Sequence, residues 1–144
     1  MTATGEKIRV VVCDDHEQFR RGAFEMLSLA GDVEVVGEAA THEEAVLVVS
    51  ELRPDVVLLD LEMPGGSMGA FESVARMLML PSSPRVVVFT MHDEPGMVKR
   101  FLTLGAAGHV AKSAEMGELV DAVREAARAW TEASAMTGDG KRGR

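Results

Sequence analysis

Residues 55–60 read DVVLLD, four consecutive apolar side chains held between two carboxylates. A strand with one wet face would alternate apolar and polar residues. An unbroken apolar run of this length instead reads as a central strand of a parallel sheet, covered by helices on both faces. Residues 8–13 (IRVVVC) and 85–90 (RVVVFT) repeat the signature. Residues 33–39 (VEVVGEA) include Glu34 and Glu38 and read as an edge strand, and a short fifth strand falls around HVA at 109–111.

Segments of helical period separate these runs. The first places Phe19, Ala23, Met26, Leu27 and Ala30 on one stripe. Thr41 followed by Glu44 is a capping box that opens a second helix, which Pro54 ends after Arg53. A third helix spans about Ala70 to Leu80, and Pro95 suits the first turn of a fourth that closes at the Gly105–Gly108 loop. In the fifth, Met116, Leu119, Val120, Val123, Ala126, Ala127 and Trp130 fall at helical spacing, with Ser113 as N-cap. Five βα pairs predict an α/β fold with a five-stranded parallel sheet and helices on both faces, in one domain over 7–132. Residues 133–144 lack period and bulk and predict a disordered tail.

Composition narrows the function. At 144 residues, 47% apolar and 26% charged, the chain is long enough to bury one real core without disulfide or metal. No run is long and apolar enough for a membrane span, and the N-terminal MTATGEKIRV lacks the apolar centre of a secretory signal, so the expected location is the cytoplasm. Cys13, the only cysteine, lies in an apolar strand and reads as an inert buried thiol. A net charge of −8 argues against direct nucleic-acid binding, which draws its affinity from neutralising phosphates; the terminal KRGR is a weak counter-signal.

The chemistry gathers at strand ends. VVCDDHE at 11–17 runs a buried strand into two adjacent carboxylates, Asp14 and Asp15, and Asp60 ends the third strand. In a sheet of order 2-1-3-4-5 the first and third strands are neighbours, and all three carboxylates open onto the crevice beyond the strands' carboxyl ends. Three anions at that range call for a counter-ion, and an all-oxygen set favours Mg²⁺. Thr90 closes the fourth strand with a hydroxyl and Lys112 follows the fifth with a cation. A carboxylate nucleophile, a metal, a hydroxyl and an ammonium together suit phosphoryl transfer. Taken singly, each has a blander reading: a solvated turn for an Asp, β preference for Thr90, surface charge for Lys112. His16 reads as a residue that positions the first helix rather than as a metal ligand, since the four histidines show no ligand spacing such as HExxH.

DDHEQFRRG, VVGEAATHEEA, PDVVLLDLEMPGG, VVVFT and LGAAGHVAKSA together resemble the response regulator receiver domain of bacterial two-component signalling. The resemblance is to the subfamily whose receivers usually precede a helix-turn-helix output domain. It covers about residues 7–130, with Asp60 to Thr90 separated by 30 positions and Thr90 to Lys112 by 22, as in that family. It implies the flavodoxin-like 2-1-3-4-5 receiver fold. It also implies roles: Asp60 as phosphoacceptor from a sensor histidine kinase, and Asp15, Asp14 through water, Asp60 and the backbone carbonyl of Glu62 as the Mg²⁺ site. Lys112 would pair with a phosphoryl oxygen, and Thr90 would move toward it as a switch. Self-association through the helix 4, strand 5, helix 5 face or the helix 1 and helix 5 surfaces also follows from the family.

Three departures qualify that transfer. His109 stands where the family usually has Tyr or Phe, and is open to two readings, a switch residue or a surface residue of a short edge strand. Ser113 replaces the common Pro after Lys112, which leaves the geometry of that peptide open. The loop MPGGSMGAFE is one residue longer before Gly69, which should alter the start of the third helix more than the chemistry. The resemblance also implies that Glu62 and His92, two positions after Asp60 and Thr90, would line the route of water to the phosphoryl group and tune its lifetime. Two other functions compete: a Mg²⁺-dependent phosphohydrolase with an Asp nucleophile, and a receiver-like scaffold that is never phosphorylated. The first would want a second Asp two positions after Asp60, where Glu62 stands.

Overall fold

The computed structural model describes residues 6–91, 95–112 and 116–137. Strands β1 (Ile8–Cys13), β2 (Val33–Ala39), β3 (Val56–Asp60), β4 (Arg85–Thr90) and β5 (Gly108–Ala111) alternate with helices α1 (Glu17–Leu29), α2 (His42–Leu52), α3 (Ala70–Leu78), α4 (Pro95–Leu104) and α5 (Met116–Thr137). All strand pairs are parallel and the sheet order is β2-β1-β3-β4-β5, so the Glu-bearing β2 does lie at an edge.

Alternation along each strand divides the core. Val10, Val12, Leu58, Val87 and Phe89 face Ala23 and Leu27 of α1 and Leu119, Val120 and Val123 of α5. Val11, Cys13, Val57, Leu59, Val86 and Val88 face Ala45 and Val49 of α2, Val74 and Met77 of α3 and Phe101 of α4. Both faces of β1, β3 and β4 are therefore buried, which is why those strands carry no polar alternation.

Local signals explain most boundaries. Thr41 Oγ1 accepts from the Glu44 amide at 3.1 Å, while Glu44 Oε1 reaches back to the Ala40 amide at 2.8 Å. Arg53 takes the left-handed conformation (φ 51°) that closes α2 before Pro54. Two limits differ from the sequence reading. Helix α3 stops at Leu78 rather than Leu80, because Met79 and Leu80 turn back onto Arg76 and Met77 in tight i to i+3 bonds ahead of Pro81. Helix α5 continues to Thr137, so residues 133–137 are helical and not part of a disordered tail. The stretch TEASAMT holds strong helix formers, and the first breaker is Gly138. His92, Ser113, the Lys112–Ser113 peptide, the Trp130 side chain and residues 138–144 lie outside the described residues.

Candidate functional site

The carboxyl ends of β1, β3 and β5 deliver one charged cluster, with Thr90 closing β4 between the last two. Backbone pairing continues past each strand and fixes where the side chains emerge. The Asp14 amide donates to Ala39 (2.9 Å), the Leu61 amide to Phe89 (3.1 Å) and the Lys112 amide to Thr90 (2.9 Å). Asp14 and Asp60 are almost fully buried, as is Thr90, whereas Asp15 is exposed at the mouth.

Lys112 sits at the centre. Its Nζ lies 2.7 Å from Asp14 Oδ2 and donates to Asp60 Oδ2 at 3.2 Å. The ammonium also stands 4.7 Å over the Phe19 ring, which stacks on Phe89 at 5.1 Å between centroids. Burial alone would lower the Lys112 pKa, but the two carboxylates outweigh it and the net shift is upward. Burial pushes the Asp60 carboxyl up to about 6, and the Asp14 charge adds to the rise; the Glu62 amide, donating to Asp60 Oδ1 at 2.9 Å, and Lys112 oppose it.

Asp14 is held from several sides. Its Oδ1 accepts from the His16 amide at 2.8 Å, and its backbone carbonyl accepts from Arg20, whose Nε pairs with Glu38 Oε1 at 2.9 Å. One donor atom from each of Asp14, Asp15, His16 and Asp60 falls within 4.8 Å of the others. Three carboxylates against one ammonium leave two uncompensated negative charges, which one divalent cation would balance.

A family model for the response regulator receiver domain matches residues 10–124, most of the chain. The chain belongs to the response regulator receiver family.

Relatives of this receiver agree. The transcriptional regulatory protein NarL of Mycobacterium tuberculosis is 43% identical over 123 residues, covering 85% of this chain and 56% of that protein. The response regulator GacA of Pseudomonas aeruginosa is 38% identical over 118 residues, covering 82% and 54%. The chain thus spans about half the length of the curated relatives it matches. Among solved structures, the signal receiver domain of the Mycobacterium tuberculosis NarL superposes with a TM-score of 0.77 at 44% identity, covering 85% of this chain and 98% of that one. A LuxR-family response regulator from an Aurantimonas species gives 0.79 at 31% identity, covering 86% and 87%. The chain is a receiver domain of the kind found in NarL/LuxR-type transcriptional response regulators.

Of the residues singled out in the receiver's sequence, Asp14, Asp15, Asp60 and Lys112 come together, and Thr90 ends β4 one position beyond Phe89, the register partner of Asp60. His109 lies apart, in a groove along β5 lined by Glu118, Asp121 and Glu125 of α5. Two contacts lie beyond the sequence reading, one of His16, expected only to position the first helix, and one of Glu43. His16 reaches the carboxylates as well as preceding α1, with Nδ1 3.1 Å from both Asp14 Oδ1 and Asp15 Oδ1; the adjacency DDH was its only sequence signal. Glu43 ties the β3–α3 loop down, accepting from the Ser67 amide (2.6 Å), the Ser67 hydroxyl (2.8 Å) and the Met68 amide (3.1 Å). That loop contains the extra residue, and Gly69 begins α3 without a side-chain cap.

Proposed function

We propose that the chain is the phosphoacceptor module of a two-component transcriptional regulator, taking a phosphoryl group on Asp60 from a phosphohistidine of a sensor histidine kinase. The observation that supports this most strongly is the convergence of Asp14, Asp15 and Asp60 around Lys112 at the carboxyl edge of the sheet. Residues 7–132 form the working unit, and it acts in the cytoplasm. Among the described residues no helix is long and apolar enough to cross a membrane.

Asp14, Asp15, Asp60 and the backbone carbonyl of Glu62 are the groups that would hold Mg²⁺, and their charge surplus and oxygen donors fit a small hard dication. Bound there, Mg²⁺ would offset charge on the phosphoryl oxygens. A carboxylate oxygen of Asp60 attacks phosphorus and the phosphorus–nitrogen bond of the donor breaks. The electron pair leaves on the imidazole, and Asp60 becomes an acyl phosphate. Lys112 exchanges part of its ion pairing for a phosphoryl oxygen, and the Thr90 hydroxyl donates to another. Only one of two conformations satisfies both contacts, so the new charge biases that equilibrium.

The output is altered association, with a partner or with a second copy through the α4, β5, α5 face or the α1 and α5 surfaces. Catalysis is confined to the module's own phosphorylation and dephosphorylation, and DNA contact belongs to other parts of the regulator. Intact-mass measurement after incubation with acetyl phosphate and Mg²⁺ tests this. One phosphoryl adduct is expected on the wild type and none on Asp60→Asn or in EDTA. An adduct that persists on Asp60→Asn would overturn the assignment.

A further inference from the structure

His16 touches the carboxylate cluster but takes no part in the phosphoryl-transfer reading. It occupies the N-cap position of α1, yet its side chain makes no capping hydrogen bond. The imidazole instead turns toward the acids, its Nδ1 hydrogen-bonded to Asp14 Oδ1 at 3.1 Å and 3.1 Å from Asp15 Oδ1. Its own amide donates to Asp14 Oδ1, which pins the residue beside that carboxylate. The side chain is 68% exposed, so bringing an ion against it displaces little protein and desolvates little surface.

We infer that His16 is a fourth side-chain donor of the cation site, making it a mixed nitrogen and oxygen site that binds later first-row dications such as Co²⁺ in preference to Mg²⁺. This rests on the reading of the cluster as a cation site. Donors adjacent in an octahedral shell with bonds of about 2.1 Å stand roughly 3 Å apart, a spacing that the hydrogen-bonding distances from Nδ1 to the two carboxylate oxygens already meet, so an ion can replace the proton without moving the donors. In the metal-free chain the Asp14 carboxylate accepts from Nδ1–H, and a dication takes the place of that proton, the imidazole then keeping its remaining proton on Nε2. Mg²⁺ gains little from exchanging a water for imidazole. Ions further along the first row gain much more, because imidazole is a better ligand for them. The residue therefore separates metals and leaves Mg²⁺ binding to the carboxylates.

Calorimetric titration of the metal-free chain with MgCl₂ and with CoCl₂ tests this, on wild type, His16→Asn, His16→Ala and Asp15→Asn. Asn keeps a good N-cap, so loss of helix α1 is not the expected effect of that change. We expect Co²⁺ affinity to fall about tenfold or more in both His16 variants while Mg²⁺ affinity stays within about twofold. In the Co²⁺-loaded wild type, proton NMR should show a hyperfine-shifted exchangeable imidazole N–H that His16→Asn lacks. An unchanged Co²⁺ to Mg²⁺ ratio in the His16 variants, or absence of that resonance from the wild type, overturns the inference. Failure of Mg²⁺ to bind the wild type, or its indifference to Asp15→Asn, would instead remove the underlying cation site.

Discussion

Lys112 Nζ lies closer to Asp14 Oδ2 (2.7 Å) than to Asp60 Oδ2 (3.2 Å), although Asp60 is the proposed phosphoacceptor. The ammonium therefore serves first as a counter-charge for the fully buried Asp14 carboxylate. Removing it leaves two carboxylates facing each other in a dry site. Breaking such a buried pair costs about 3–5 kcal/mol, so Lys112→Met should unfold at markedly lower urea than the wild type when both are in EDTA. The same deletion makes the cluster more negative and raises its attraction for a dication. Added Mg²⁺ should then raise the Tm of Lys112→Met more than that of the wild type. Equal Mg²⁺-induced shifts in the two proteins would contradict this account.

Cys13 sits in β1, directly before the acidic pair, and is fully buried. Burial pushes its thiol well above the ordinary range, and the nearby Glu44 and Asp14 charges push it further. The thiolate is the reactive form, so the native protein should resist a thiol-specific reagent such as dithionitrobenzoate at pH 8. One equivalent should react after guanidinium unfolding. Rapid native labelling would show that β1 opens without global unfolding.

The sheet was legible because hydrophobic burial is written into runs such as DVVLLD and RVVVFT, which only a doubly covered strand tolerates. The positions of Asp60 and Thr90 followed from the same runs, since each residue stands where one ends, and Lys112 follows the short fifth strand. What sequence could not supply was lateral contact. Glu43 reads as ordinary first-turn acid of α2, and its grip on Ser67 and Met68 crosses 24 and 25 positions of chain. His16 likewise looks like a helix-start residue until the backbone turn brings its ring over both acids. The end of α5 was misread because helix formers without a hydrophobic stripe carry no periodic signal.

Glu43 gives the β3–α3 loop a pH dependence. Hydrogen bonds from the Ser67 amide and hydroxyl hold its carboxyl down to about 2, against 4.5 in the unfolded chain. A carboxyl with a depressed folded-state pKa stabilises fully above the unfolded value, and that stabilisation is lost as pH falls toward the folded one. The Tm advantage of wild type over Glu43→Gln should therefore be constant from pH 7 to about 5. It should shrink between pH 4.5 and about 2. An advantage that persists undiminished at pH 2.5 would mean the charge of Glu43 is not what holds the loop.

Gly66 sits in the same loop with φ at 79°, and a Cβ there would come within 2.8 Å of the Glu43 Cδ. Two separate penalties follow for Gly66→Ala. One is the left-handed backbone conformation, which an L side chain resists, and the other is the collision with the carboxylate that anchors the loop. We expect a total loss of about 1–3 kcal/mol by urea denaturation. A double-mutant cycle with Glu43→Ala separates the terms. Removing the carboxylate abolishes the collision and leaves the backbone strain, so Gly66→Ala should cost less in the Glu43→Ala background than in the wild type. Strict additivity of the two substitutions would show that the methyl group finds room beside Glu43 and that backbone conformation alone selects glycine at this position.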